Sequence, residues 1–268
     1  MRKSIEHNNA NLVYHVYGEG FPLMLLHGFA ETNSIWRNQI TCLSKYCKLI
    51  VPDLPGSGES QLQEITPENL NIEDIATAIY SIVQNENIEQ CIMLGHSMGG
   101  YIALAFAEKY PEKLKAFGFV QSTAFADSEE KKQTRLKGIR VMKAYGSYTF
   151  LKIATPGLFA EQFKKEHPAI VNEFIEAGQS FKSENLQQYY YAMMQRPDRT
   201  HVLKNSKVPV LFVMGTEDIA SPLNDSLKQS HLPEIAYIHI IENAGHMSML
   251  EAPGKLNSIL ENFANACT

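Results

Sequence analysis

The sequence predicts an α/β fold with a mostly parallel, doubly wound sheet and a helical insertion. Apolar runs without alternation, in "PLMLLHGF" and "CIML", are typical of strands buried on both faces. Helical patterns separate the predicted strands, and such alternation favours parallel pairing. Strand patterns then stop over residues 123–203. We therefore predict a core of residues 1–122 and 204–268 and a helical cap of residues 123–203.

The composition narrows the class of protein. The chain has 268 residues, 44% of them hydrophobic, which suffices for one large domain. Its net charge of -5 favours neither nucleic acid nor an anionic membrane as a partner. The four cysteines have no zinc-like spacing, which indicates reduced thiols. No apolar segment resembles a signal peptide or a membrane span, so we expect a soluble cytoplasmic protein.

The elements of the first half follow in order. Residues 4–20 predict a β-hairpin around the turn residues Asn8 and Asn9. A buried strand at 22–29 precedes a helix that Asn33 or Ser34 could cap. The remaining elements of this half are a short strand with a Pro/Gly-rich loop in "CKLIVPDLPGSGES" and a helix over 71–86.

The second half contains one more strand and helix before the strand-free stretch, and strands return after it. "CIML" predicts a buried strand, and "MGGYIALAFAEKY" predicts a helix that ends at Pro111. The later predicted elements are strands at 115–122, 208–218 and 236–246 and a closing helix at about 251–265. In such sheets the chemistry lies in loops beyond the carboxyl ends of the strands.

One of these loops carries the pattern G-x-S-x-G, from Gly95 to Gly99, between a predicted strand and a predicted helix. A turn this sharp forces Ser97 into a strained backbone conformation. Side chains at 95 and 99 would collide with neighbouring backbone. The pattern predicts that Ser97 is a nucleophile and that the N–H of Met98, at the helix start, faces a developing oxyanion.

A serine nucleophile needs a base and an acid that orients it. His246 follows the last predicted strand, and Asp218, with Glu217 beside it, follows the strand before. The order Ser97, Asp218, His246 is the order expected of this architecture. Asp53 comes too early in the chain and is expected to be structural. His27 and His96 flank the chemistry and are expected to hold loops together.

Five segments in order resemble the α/β-hydrolase superfamily, in its small, capped, cofactor-free branch. They are "LLHGF", "PDLPGSGES", "GHSMGG", "GTEDIASP" and "NAGHMSMLEAP". The resemblance implies the sheet, a helical cap over the site and hydrolysis through an acyl-enzyme. It also places a second oxyanion donor, the backbone N–H of Phe29, in the first segment.

The resulting hypothesis is a carboxylesterase-like serine hydrolase that acts on a small ester without metal or cofactor. Three other chemistries of this scaffold remain open: a SHCHC synthase-like lyase, a C–C hydrolase and a perhydrolase. Tyr101 stands where SHCHC synthases usually have arginine. A ligand receptor that keeps the triad is a further alternative. Serine at position 97 argues against haloalkane dehalogenases and epoxide hydrolases, which need aspartate.

The cap is rich in aromatic residues and methionine, and a few of these side chains should face Ser97 and favour an apolar or aromatic acyl group. The expected substrate contacts are Trp36, Tyr145, Tyr190 and Met247. For Trp36, packing of its own helix is an equal alternative. The oligomeric state does not follow from the sequence.

Overall fold

Eight strands form one sheet in a computed structural model that describes residues 1–62 and 69–268. The strands are β1 (Arg2–His7), β2 (Ala10–Tyr17), β3 (Phe21–Leu26), β4 (Cys47–Pro52), β5 (Cys91–His96), β6 (Leu114–Val120), β7 (Val210–Gly215) and β8 (Ala236–Ile241). Their order across the sheet is β1-β2-β4-β3-β5-β6-β7-β8. The predicted α/β fold with a doubly wound sheet is confirmed.

The sheet is antiparallel at one edge and parallel elsewhere. β1 pairs with β2 and β2 with β4 antiparallel, while every pairing from β4 to β8 is parallel. The predicted hairpin turns at Asn8 and Asn9, whose φ angles of 48° and 59° give the left-handed turn that suits strand twist. The strand order reverses between β3 and β5, so a crevice opens beyond their carboxyl ends.

The helices cover both faces of the sheet. They are α1 (Arg37–Leu43), α2 (Ile72–Asn85), α3 (Met98–Lys109), α4 (Glu129–Ala154), α5 (Glu161–Glu166), α6 (Pro168–Ala177), α7 (Ser183–Gln195), α8 (Thr200–Asn205), α9 (Leu223–Ser230), α10 (Ser248–Glu251) and α11 (Pro253–Cys267). One core layer packs α2 and α3 against the sheet, and the other packs α1 and α11 against the opposite face.

The start of the first helical segment differs from the prediction. A 3₁₀ turn, Asn33–Trp36, precedes α1, and the side chain of Thr32 caps it by accepting from the N–H of Ser34. Asn33 instead donates from both its backbone and its side chain to the Asp53 carboxylate, at 2.8 Å each. Thr32 is therefore the cap because the Asn33 amide is engaged by the loop after β4.

Every regular element between β6 and β7 is a helix, in line with the strand-free pattern of residues 123–203. The longest of them, α4, breaks at Gly146, whose φ of 84° is outside the helical range. The sequence divides at the same residue into two helical patterns. The bounds of the cap, 123–203, remain an interpretation of this helical stretch.

The core of the sheet gives the first testable prediction. Phe212 on β7 is 1% exposed and packs on Phe119 of β6, with ring centroids 5.3 Å apart. We expect Phe212→Ala to lower the free energy of unfolding by about 3–5 kcal/mol, because it leaves a cavity that the sheet cannot close. Urea denaturation followed by circular dichroism measures the loss.

A matched control lies on the neighbouring edge strand. Ile238 on β8 is 46% exposed, so Ile238→Ala should cost less than about 1 kcal/mol. Equal losses for the two variants would show that the sheet is not buried as described.

Candidate active site

The turn between β5 and α3 holds Ser97 in a strained conformation, with φ 49° and ψ -116°. A Cβ added to Gly95 would lie 2.1 Å from the backbone carbonyl of Gly99. A Cβ added to Gly99 would lie 2.4 Å from the carbonyl oxygen of Leu26 on β3. The two glycines therefore allow β3, β5 and α3 to meet closely enough to raise Ser97 at the crevice.

The structure brings His246 and Asp218 together. Nδ1 of His246 lies 2.9 Å from Oδ2 of Asp218, and both residues are 5% exposed. The other oxygen of Asp218 accepts the backbone N–H groups of Ala220 and Ser221, at 2.9 Å each. These bonds fix the carboxylate, which in turn leaves Nε2 as the free nitrogen of the imidazole.

His96 links the Ser97 turn to the His246 loop. The two imidazole rings lie 4.8 Å apart, and Nε2 of His96 lies 2.9 Å from the carbonyl oxygen of His246. Within residues 1–62 and 69–268 the Ser97 hydroxyl has no hydrogen-bond partner. The loops of the expected triad are therefore adjacent, while the bond from Ser97 to His246 remains an expectation.

Two backbone donors lie at the carboxyl ends of neighbouring strands. Phe29 follows β3 and Met98 follows β5. Among the described residues neither N–H has an acceptor. Both are available for an oxygen atom of a substrate, as an oxyanion hole requires.

A buried carboxylate that the sequence analysis missed, Glu31, holds this corner together. It is 4% exposed and accepts the N–H of Gly28 at 2.7 Å and Nδ1 of His96 at 3.0 Å. Burial works to lower the pKa of His96, but the charge and hydrogen bond of Glu31 raise it above its ordinary value. The pKa of Glu31 is lowered in return. Both shifts favour the ionic form of the pair, in which His96 donates from both nitrogens.

Glu251 holds the loop around His246 in place by hydrogen bonds to three backbone N–H groups. Its carboxylate accepts the N–H of Gly245 at 3.1 Å, of Met247 at 2.9 Å and of Ala160 at 2.8 Å. It thereby ties both neighbours of His246 to the segment before α5. Burial raises the pKa of Glu251 despite these hydrogen bonds. Acidic residues in loops are too common for sequence alone to single out Glu31 or Glu251.

Of the expected substrate contacts, Tyr190 lies at the site. Its ring stacks on Phe29, with centroids 4.4 Å apart, and it meets Phe150 edge-on at 5.7 Å. Burial raises the pKa of the Tyr190 phenol to about 12, so it is a hydrogen-bond donor at neutral pH.

The other three expected contacts lie elsewhere. Trp36 and Met247 are fully buried in the core layer of α1 and α11, so neither offers surface to a ligand here. Trp36 therefore packs its own segment and meets His96 edge-on at 6.5 Å. Tyr145 is 71% exposed beside the Gly146 break, where the helix turns its side chain to solvent.

Residues 1–62 and 69–268 contain neither a membrane-spanning helix nor a group of metal-ligating side chains. No helix there is long and apolar enough to cross a membrane. No group of three His, Cys, Asp or Glu side chains in that part of the chain could hold a metal ion. His27 is engaged in loop contacts, accepting the N–H of Leu54 at 3.0 Å through Nε2.

Comparison with known proteins identifies relatives of this fold. The family described as alpha/beta hydrolase fold matches residues 22–140. Lipase 1 of Psychrobacter immobilis is 28% identical over 91% of this chain and 76% of the lipase. A thermophilic esterase from Thermogutta terrifontis superimposes with a TM-score of 0.93 at 26% identity, over 100% of this chain and 99% of the esterase. The enol-lactonase of Burkholderia xenovorans LB400, at 19% identity, shares the fold with a TM-score of 0.90 over 98% and 100% of the two chains.

The buried ion pair gives the second prediction. Glu31→Gln keeps the shape of the side chain but leaves His96 without a counter-charge. Breaking such a pair should lower the free energy of unfolding by about 3–5 kcal/mol, measured by urea denaturation. Glu59→Gln removes the exposed partner of Arg2 and, as the control, should change stability little.

The loss should depend on pH. Because the pKa of Glu31 is lowered, its contribution to the stability of the folded state is complete above pH 4.5. That contribution is lost as the pH falls through the pKa that Glu31 has in the folded protein. Because the pKa of His96 is raised, its contribution to the stability of the folded state is complete below pH 6.5. That contribution is lost as the pH rises through the pKa that His96 has in the folded protein. The gap between wild type and Glu31→Gln should therefore be widest between these two pH values. A gap that is independent of pH would contradict the ionic pair.

Proposed function

Since this chain belongs to the α/β-hydrolase superfamily, we propose that it is a serine hydrolase that cleaves a carboxylic ester of small size through an acyl-enzyme. The observation that carries the proposal is the buried hydrogen bond between His246 and Asp218, whose Nδ1 and Oδ2 atoms lie 2.9 Å apart. The loops that hold these two residues adjoin the strained turn of Ser97. This arrangement supports a base whose tautomer is fixed and a hydroxyl that is presented to a crevice.

In this mechanism Nε2 of His246 takes the proton of the Ser97 hydroxyl as its oxygen attacks the ester carbonyl. Asp218 accepts the hydrogen bond from Nδ1 throughout and stabilises the imidazolium. His246 then returns the proton to the alcohol that leaves. Water then gives a proton to His246 as its oxygen attacks the acyl carbon, and His246 passes that proton to the Ser97 oxygen as the acid is released. Each proton has a donor and an acceptor within these three residues, the substrate and water, so no cofactor is required.

The N–H groups of Phe29 and Met98 would stabilise the negative oxygen of the tetrahedral intermediates. Each such donor contributes about 3 kcal/mol of transition-state stabilisation in comparable sites. Glu31 supports this step because it accepts the N–H of Gly28, next to Phe29, and so fixes the path of the loop. The ring of Tyr190 on α7 stacks on the ring of Phe29 and so contacts the same loop from the cap side.

The relatives, which include a lipase and an esterase, support hydrolysis as the class of reaction. The ester as the bond that is cleaved is our proposal. Tyr101 argues against the SHCHC synthase alternative, because it stands where those synthases usually have arginine.

The third prediction tests the nucleophile. Ser97→Ala should lower kcat on p-nitrophenyl butyrate by at least about 1,000-fold, because the covalent route is removed. The same variant should lose labelling by a fluorophosphonate probe. Ser258→Ala, on the exposed side of α11, is the matched control and should keep both properties.

Two results would oppose the proposal. Equal turnover by the wild type and Ser97→Ala would exclude the serine mechanism. A single turnover followed by a stable complex would favour a ligand receptor, since a hydrolase turns over repeatedly.

A further inference from the structure

A buried cluster of two arginines around one aspartate lies where the cap meets the core; we call it the arginine cluster. Asp127 accepts Nε of Arg135 at 2.6 Å and a terminal nitrogen of Arg196 at 2.8 Å. The side chains of Asp127, Arg135 and Arg196 are 0%, 13% and 3% exposed. Such burial of ionic groups is costly unless the charges are balanced.

The charges of the arginine cluster are not balanced by Asp127 alone. Lys131 lies one turn before Arg135 on α4, and its ammonium donates to the carbonyl oxygen of Ala220 at 2.8 Å. Two arginines therefore share one carboxylate, and Lys131 adds a third cation that does not contact it. Glu129 and Glu130, on the first turn of α4, are exposed and face solvent. The excess is positive, and an anion of the right shape would offset it.

The two arginines differ in their free donors. Arg196 also donates to the backbone carbonyls of Met193 at 2.7 Å and Phe125 at 2.9 Å, so its role is to hold the cap. Arg135 bonds only to Asp127 within residues 1–62 and 69–268. The guanidinium of Arg135 keeps N–H groups without a partner among these residues, and a ligand could accept from them. The forked arrangement of these groups matches the two oxygens of a carboxylate.

Aromatic rings connect Arg135 to the proposed active site. Its guanidinium lies 5.2 Å from the Tyr190 ring, which stacks on Phe29. Tyr101 is one turn along α3 from Ser97 and packs under Arg196 at 3.8 Å. Among the described residues neither phenol has a hydrogen-bond partner.

The electrostatic potential at this place agrees with the geometry. Burial works to raise the pKa of the Tyr101 phenol, but Arg196, Lys131 and Arg135 together lower it below its ordinary value. A phenol that is easier to ionise reports a positive potential one helical turn from the proposed nucleophile.

We propose that Arg135, together with the phenols of Tyr101 and Tyr190, binds a carboxylate of the substrate, so that the preferred esters are anionic. The inference rests on the proposed function for the bond that is cleaved. It deepens that function by adding a second group of the substrate that the protein recognises. It also revises the expectation of a purely apolar or aromatic acyl group.

The experiment compares esters that differ in one carboxylate. The first pair, mono-p-nitrophenyl glutarate and p-nitrophenyl pentanoate, places the charge in the acyl part. The second pair, 4-acetoxybenzoate and phenyl acetate, places it in the alcohol part. The measured quantity is the ratio of kcat/KM for the anionic ester to that for its neutral partner.

We expect a ratio well above one in at least one pair, and Arg135→Gln should lower that ratio by about 10- to 100-fold, as for the loss of a charged hydrogen bond. Arg135→Lys should restore part of it. Lys131→Gln lowers the positive charge without touching Asp127 and should reduce the ratio by a smaller factor. Arg140→Gln, exposed on the same helix, is the matched control and should leave the ratio unchanged.

A binding measurement separates this inference from the proposed function. Titration calorimetry of glutarate and of 4-hydroxybenzoate against Ser97→Ala needs no turnover. One outcome is that glutarate or 4-hydroxybenzoate binds, that Arg135→Gln weakens this binding, and that the wild type has no esterase activity. That outcome would support the anion site and overturn the proposed hydrolase function. Turnover of neutral esters with ratios near one, or ratios that Arg135→Gln does not change, would overturn the anion site alone. An equal loss on both members of a pair would show that Arg135 only holds the cap.

Discussion

The close approach of α3 to β3 and β5 is the constraint on which the rest of the site depends. The approach is possible only without side chains at Gly95 and Gly99, and it leaves Ser97 in the left-handed region of φ. The order of the strands then decides what lies around it. β3 neighbours β5, so the loop with Phe29 comes to one side of Ser97. The parallel β7 and β8 bring the loops of Asp218 and His246 to the same end of the sheet.

Three carboxylates, two of them buried and one half-buried, maintain this arrangement, and each joins segments that are distant in the chain. Glu31 connects the loop after β3 to the Ser97 turn, and Glu251 connects the histidine loop to the cap. Asp127 connects the start of the cap to its end through Arg196. A carboxylate accepts several donors at once, and its shell of hydrogen bonds offsets the cost of burial. The helical stretch between β6 and β7 is therefore held by polar contacts, both within itself and, through Glu251, to the histidine loop.

The sheet could be predicted from the sequence because its signals are local. Uninterrupted apolar runs marked the buried strands, and the glycine spacing around Ser97 marked the turn. Asp218 and His246 could be paired because their places in the order of strands are fixed. Glu31 could not, since its partner His96 is 65 residues away and acidic residues in loops are common. Composition tells which residues are aromatic, whereas the path of each helix decides which way they point. It therefore left open whether Trp36 packs its own segment, and it did not show that Tyr145 is exposed.

The position of the cap within the chain has a consequence for synthesis. A ribosome makes the Ser97 turn first, then the whole helical insertion, and only afterwards β7 and β8 with Asp218 and His246. Ser97 is therefore synthesised before the two residues that the proposed mechanism pairs with it. A chain interrupted before β7 would lack both the base and the acid of that mechanism.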